Sequence, residues 1–549
     1  MNPRHLLMSV AGCLAAILAA SSQPALAQDQ PALAGQVTSE AEGAMEGVVV
    51  TAKKAGWPVT VSVITDAKGH YQFPAGRLGP GKYSLAIRAV GYDPVSPVSA
   101  DVAEDHTATA DIKLKKTRKL ASQLSNAEWM MSIPGTEQEK SFLLNCNSCH
   151  TLERIVRSTH DEEEWTQVIS RMSGYGPVSQ PIKPQRMLDT SRIRDPATLH
   201  KPAKYLASIN LSQADQWPYA LKTLPRPKGR ATHVIITEYQ LPRPTIEPHD
   251  VVVDKDGTVW FSDFGEMFIS KYDPKTLKLT EYPVKQIKKD APVGNLSLDF
   301  DKAGTLWFDT MFQGEIGNID PKTGKMTLYP LPPELNTVKV QLNFIGLRHD
   351  VDGKVWTKSV GTQTIFRLDL KSGKWEGFQP LTSLPGGQHS VYQVISDSQN
   401  NLWMAEFREG HIGEIEAKTG KVTWFDLPTK NARARRMNID DQDRIWVTEY
   451  RGNKVAMFNT KTHEVKEYPA PPYTFPYRAA VDKNGDIWTG GMHTDRAVRI
   501  NPKTGETVEY LLPTETNMRT VFVDNSTTPV TFWTGSNHQA ALVKVEPLD

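Results

Sequence analysis

Beyond residue 231 the chain alternates apolar and polar positions in runs of a few residues. The runs are rich in Val, Ile, Thr and aromatic residues and are bounded by Asp, Gly, Asn and Lys. A period of two predicts strands rather than helices. One run recurs, a tryptophan after an Asp/Gly turn, as VDKDGTVWFSD, FDKAGTLWFDT, VDGKVWTKS, SQNNLWMAE, DQDRIWVTE, DKNGDIWTG and TTPVTFWTG. These place Trp260, Trp307, Trp356, Trp403, Trp446, Trp488 and Trp533 between 42 and 49 residues apart. A period in the forties with about four strands per unit predicts propeller blades. An aromatic edge element also recurs, at Tyr239, Tyr282, Tyr329, Phe378, Phe425, Tyr468 and Tyr510. The first, Ile236–Tyr239, precedes every tryptophan, so it is expected to pair near Ala541–Val545 and complete the blade of Trp533. That closes seven blades over residues 232–549 and removes a free sheet edge. The tryptophans are expected to pack blades, not to relay electrons.

Residues 32–115 carry another set of β-rich runs, Val48–Ala52, Val59–Val63 and Tyr83–Ile87, and predict a small Ig/transthyretin-like β-sandwich. Between the two β regions, residues 120–212 change to a helical pattern, expected as a small all-α domain. Glu137–Cys146 is one expected helix. Asp161-Glu162-Glu163-Glu164 opens a second, where acids favour the positive dipole end, and Gly174 stops it. Thr198–Asn210 is expected to close the set. Lys113–Lys119 and the proline-containing 216–231 read as basic linkers.

Residues 1–27 have a charged start (Arg4, His5), an apolar run from Leu6 to Ala20 and Ala25-Leu26-Ala27 before Gln28. That is the pattern of a cleaved secretory signal. No later apolar run approaches the roughly 20 residues that span a bilayer, so no membrane span is expected. Lys+Arg 63 against Asp+Glu 62 leaves no electrostatic footprint for nucleic acid. The product is expected to be soluble and periplasmic.

The sharpest chemical signal is Cys146-Asn147-Ser148-Cys149-His150. Of three cysteines, Cys13 lies in the expected signal, so the mature chain keeps this pair. Cys-x-x-Cys-His is the attachment pattern of a c-type haem: two thiols bond the vinyl groups and His150 supplies an axial nitrogen. A zinc site would want a further ligand pair at motif spacing, and a thioredoxin-like pair would want a βαβ context. Neither is present. For the second axial ligand, Met172, Met187, Met130, Met131 and His160 are candidates, and Met172 also reads as ordinary packing.

Three resemblances add to this. Gly47–Asp93, with TDAKGHYQF and GKYSLAIRAVGY, resembles the carboxypeptidase regulatory-like domain, which implies a seven-stranded, non-catalytic sandwich, either an accessory or sugar-surface module or a plain spacer. CxxCH followed by Trp-x6-Met-x-Gly and a Tyr-Leu helix resembles class I cytochrome c domains. Because a methionine follows the tryptophan helix there, the resemblance favours Met172. The repeats, with WFSD-type strands, are similar to virginiamycin B lyase and its streptogramin-lyase relatives. That similarity implies that Glu247 and Asp263 fall on magnesium-ligand positions and His249 on the general base. Asp263 is one methylene shorter than the family's glutamate, and the preceding blade offers no clear substrate-binding histidine, only Arg519 and, elsewhere, His538. A strand-end acid and a turn histidine remain the alternative reading.

Aligning blades on their tryptophans brings His249, Leu296, Ile345, Tyr392, Arg435 and Tyr477 to one equivalent position, with Arg519 in the seventh blade. Asp263, Glu406 and Glu449 share another. This predicts a polar channel mouth. Glu406 and Glu449 also read as strand-end hydrogen-bonding acids, and His389 and His493 as loop residues. Three functions follow. One is a periplasmic haem c protein that exchanges electrons with a periplasmic donor or acceptor and binds a polar small molecule or glycan at the propeller. Another is a Mg2+-dependent C–O lyase, although a pure lyase has no need of a haem. The last is a docking module carrying a cytochrome.

Overall fold

A computed structural model describes residues 30–117, 120–210 and 220–549. The expected signal segment and residues 216–219 of the expected linker lie outside the described residues. The architecture is mainly β, with a sandwich at the N-terminal end and a propeller at the C-terminal end.

The sandwich has seven longer strands and three short ones between Leu33 and Lys116. Its core gathers Leu33, Val37, Val50, Phe73, Leu85 and Ile112 from both sheets, and Ile235 of the propeller joins it. The reason lies in the pairing. Val59–Ile64 hydrogen-bonds to Val234–Gln240, with Ile235 opposite Val63 and Tyr239 opposite Val59. Val234–Gln240 in turn pairs with Ala541–Pro547, Ile236 opposite Val545, as the sequence predicts. Sandwich and last blade therefore share one eight-stranded sheet. Pairing satisfies backbone groups that would otherwise form an exposed edge.

Six further sheets of four antiparallel strands follow in chain order, from Pro248–Val253 to Thr507–Leu511. Phe522–Asp524, Thr531–Ser536 and Ala541–Pro547, with Val234–Gln240, make the seventh. The ring closes where Pro248–Val253 contacts Thr531–Ser536. The tryptophans do the packing expected of them. Five donate Nε1–H to the aspartate six residues earlier, for example Trp260 to Asp254 at 3.0 Å and Trp488 to Asp482 at 2.9 Å. They stack on the edge aromatic of their own blade, and Trp533 stacks on Tyr239, 5.9 Å between centroids, across the closure.

The segment between the two β regions holds five short helices, α1 (Asn126–Ser132), α2 (Glu137–Lys140), α3 (Leu152–Val156), α4 (Glu162–Ser173) and α5 (His200–Ser208). Ser125, Thr136 and Asp161 start α1, α2 and α4 with capping boxes. Trp129, Leu143, Leu152, Ile155, Trp165 and Leu206 form its core, with Val90 and Phe475 packed against it. The helix expected over Glu137–Cys146 is shorter: α2 ends at Lys140 and a 3₁₀ run, Leu143–Ser148, follows. Leu144, Asn147 and Ser148 give their carbonyls to propeller side chains instead of to a continuing helix. No helix among the described residues is long and apolar enough to cross a membrane.

Candidate functional site: the CxxCH turn on the propeller mouth

The 3₁₀ run delivers the cysteine motif directly onto the ring. Asn147, fully buried, donates Nδ2–H to His493 Nε2 at 2.9 Å and to the Met492 carbonyl at 3.3 Å. Its own carbonyl accepts from Asn517 Nδ2 at 2.7 Å. Arg519 donates to the Ser148 carbonyl while its Nε holds Asn517 Oδ1 at 2.7 Å. The Tyr450 hydroxyl reaches the Leu144 carbonyl at 3.5 Å. Residues from three consecutive blades thus pin a five-residue turn. A second loop of the helical segment docks beside it: Gln180 Nε2 and Lys183 Nζ donate to the carbonyls of Thr245 and Gly265.

Cys146 and Cys149 are free thiols. Burial pushes Cys146 up to about 12, helped by the neighbouring Cys149. Burial also raises Cys149, with the Arg519 guanidinium opposing and the Glu247 carboxylate adding to it. Cys149 is therefore within the field of Arg519, which the repeat alignment puts at the mouth, and of Glu247, which the lyase resemblance singles out. His150 Nδ1 lies 3.0 Å from the Thr151 carbonyl, which makes Nδ1 the protonated nitrogen and leaves Nε2 for a metal.

Beneath the turn sit Glu247, His249 and Asp263, all buried. Asp263 Oδ1 accepts the backbone N–H groups of Glu247, Gly265 and Glu266 at 3.0–3.1 Å, the work of a strand-end acid. Its Oδ2, Glu247 Oε2 and His249 Nε2 are buried without a hydrogen-bond partner. Burial pushes Glu247 up to about 8, against the pull of Arg519, and Asp263 up to about 7. His249 is pushed down to about 4 by burial, so its ring is neutral at pH 7. Its Nδ1 is 2.9 Å from Asp250 Oδ1, and both Asp250 oxygens are held by Arg436 at 2.6 Å. That partner keeps the Asp250 carboxyl well below its ordinary value.

Around these polar groups runs an aromatic wall. The Arg435 guanidinium lies 3.9 Å from the Tyr477 ring centre and 4.4 Å from that of Tyr450. The Tyr392 and Tyr477 hydroxyls are 2.7 Å apart. The Tyr477 ring is 6.2 Å from His249, and Phe264 bridges His249 and Arg519 at 4.6 and 4.9 Å.

Alternation alone misses Asp250, Arg436, Asn147 and Asn517. In a regular strand only one of His249 and Asp250, or of Arg435 and Arg436, would face the mouth. The ladder shifts register between Pro248 and Val251 and again between Ala434 and Met437. Each bulge turns two successive side chains inward.

The expected axial partners are dispersed. Met172 lies near the end of α4 and is 43% exposed, so the alternative of core packing does not hold for it. Met130 is buried in the helical core, and Met187 packs with Val178 and Phe312 against the propeller. His160 is edge-on to Trp165 and 3.4 Å from Glu164. His389, Glu406 and His411 converge separately, at blade four.

Comparison with known proteins places the outer domains. Residues 381–547 match the virginiamycin B lyase family, and residues 32–115 match the carboxypeptidase regulatory-like domain. The chain carries a virginiamycin B lyase-like propeller and a carboxypeptidase regulatory-like domain. Among solved structures, a streptogramin B lyase is 24% identical with a TM-score of 0.49, covering 58% of this chain and 99% of its own. A virginiamycin B lyase from Staphylococcus aureus is 23% identical with a TM-score of 0.47, covering 57% and 99%. No curated protein matches the chain. The propeller assignment rests on the strand order and on the match over residues 381–547.

Proposed function

We propose that this chain is a periplasmic c-type haem protein that exchanges electrons at the mouth of its propeller. The observation that carries the reading is the docking of Cys146–His150 over Glu247 and Arg519. The donor set fits a haem: two unpaired thiols at attachment spacing and a histidine whose Nδ1 is already committed to a carbonyl. When bound, the haem supplies single-electron exchange with a periplasmic donor or acceptor. The protein groups then have separate tasks. Arg519, Asn517 and His493 hold the turn on the ring. Glu247 and Asp263, raised towards neutrality by burial, can take up or release a proton close to the motif. Arg435 and the tyrosines around it suit a polar or aromatic ligand. Met172 is kept as the sixth ligand on the cytochrome resemblance alone; the residue is 43% exposed.

The test is production of the full chain in a host that matures c-type cytochromes. Haem should survive denaturation on the polypeptide and disappear in Cys149→Ser. A wild-type chain that leaves the host without covalent haem ends the proposal. Met172→Ala should alter the haem spectrum, and an unchanged spectrum removes that ligand.

A lyase reading is favoured by one arrangement, the His249–Asp250–Arg436 chain, which leaves His249 Nε2 as a base. Glu247 Oε2 and Asp263 Oδ2 are the oxygens a magnesium ion would meet, and hard carboxylate oxygen suits it. Turnover of a cyclic ester that persists after chelation would exclude magnesium-dependent elimination.

A further inference from the structure

We propose a metal site on blade four, where His389 Nδ1, His411 Nε2 and the Glu406 carboxylate hold a divalent cation of the zinc class. The ligand atoms of these three residues all lie within 4.8 Å of one another. His389 and Glu406 side chains are 5% and 0% exposed, and His411 is 18% exposed. His389 Nδ1 is buried without a hydrogen-bond partner and stands 3.7 Å from Glu406 Oε1. That is too long for a hydrogen bond, yet near the ligand–ligand separation of about 3.3–3.5 Å implied by bonds of roughly 2.0–2.2 Å in a tetrahedron.

The outer nitrogens are arranged as they are around bound metals. His411 Nδ1 is 2.7 Å from Asp426 Oδ1, and His389 Nε2 is 3.4 Å from the Pro385 carbonyl. With each outer nitrogen protonated and donating, the inner nitrogen of each ring presents a lone pair. Glu406 is fixed by backbone N–H groups, Ser390 and Arg408 on Oε1 and Glu409 and Gly410 on Oε2, so a cation would share an oxygen with these bonds. Glu409 Oε2 faces His411 Nε2 at 3.5 Å and can complete the set. Mixed nitrogen and carboxylate donors suit zinc.

Blade four alone carries this set among the six separate sheets. Where its third strand opens on His411, the others open on Phe268, Glu315, Thr364, Lys454 and Arg496. His389 sits on the loop before Val391–Ser396, so a cation would clip that loop to the sheet. Glu409 is 48% exposed, which leaves the site open to an exchangeable ligand.

The full chain, stripped with EDTA and titrated with Zn2+ by calorimetry and elemental analysis, tests this, whether or not it carries haem. One equivalent of zinc per chain is expected. His389→Ala and His411→Ala should each weaken binding at least tenfold, and Asp426→Asn, which removes only the orienting carboxylate, by about tenfold. Glu247→Gln/Asp263→Asn should retain the zinc. Should the alanine variants not fold, zinc slowing proteolysis of the loop at 384–390 in the wild type gives an independent readout. The proposal fails if the folded wild type binds no zinc and its loop cleavage is unchanged by zinc. It also fails if the zinc is lost in the Glu247/Asp263 variant and kept in the histidine variants.

Discussion

Arg519→Met should release the cysteine motif from the propeller while leaving both folded. Arg519 is 3% exposed and makes two polar contacts there, to the Ser148 carbonyl and to Asn517 Oδ1. Methionine keeps much of the length and apolar body and removes the charge and every donor. A hydrogen bond from a charged donor contributes about 1.5–3 kcal/mol, and the Ser148 carbonyl would be left without its ring partner. Since 1.4 kcal/mol is a tenfold change, local opening of residues 143–150 should become about ten- to a hundredfold more frequent. Hydrogen exchange of the backbone amides of 144–150, compared with those of Val259–Asp263, reads that opening directly. The blade amides should not change. Protection of the turn that stays within threefold of the wild type would refute the claim that Arg519 clamps it. Loss of protection throughout the propeller would refute the claim that the clamp is local.

Arg436→Met removes the guanidinium that holds both Asp250 oxygens and leaves Arg478, 3.8 Å away, as the remaining cation; it should cost up to about 3–5 kcal/mol in urea unfolding, whereas Arg436→Met combined with Asp250→Leu should recover part of that. Burial pushes His493 down to about 3, so at this residue the unfolded chain binds more protons than the folded one as pH falls below about 6.5. Its contribution is complete above pH 6.5 and shrinks as pH falls. His493→Gln should flatten that acid-side loss, read from urea midpoints between pH 5 and 8. Removing residues 30–117 strips one of two partners from Val234–Gln240 and exposes that edge, so the truncated chain should melt lower and self-associate by light scattering; a monomer of unchanged melting temperature would refute the shared-sheet argument.

The ring was legible because its period is carried by large residues with one job. Each tryptophan has its turn and its edge aromatic, and five have an aspartate six residues earlier as well, so the pattern recurs at near-fixed offsets. Even the closing pair Tyr239–Trp533 could be foreseen by counting edges against tryptophans. The CxxCH motif was equally plain, because its spacing is local. What could not be read was the meeting of the two. Asn147 is an unremarkable residue between cysteines, and its partners His493 and Asn517 lie more than 340 positions away. Asp250 and Arg436 escaped because bulges break the alternation from which inward-facing positions are inferred. The pairing of Val59–Ile64 with Val234–Gln240 left no mark either, since backbone hydrogen bonds ask little of side-chain identity.

That last pairing has a consequence for the order in which the chain can assemble as it emerges, N-terminus first. The sandwich emerges first and can fold before the propeller exists, since domains fold from the N-terminus as they appear. Val234–Gln240 can then meet a finished edge at Val59–Ile64 as soon as it emerges, about 300 residues ahead of its other neighbour, Ala541–Pro547. The costliest contact in the ring, between its first and last strands, is thereby prepared on one side in advance. The N-terminal domain is placed to act as a jig, pairing the receiving strand before the end of the polypeptide arrives to lock the circle.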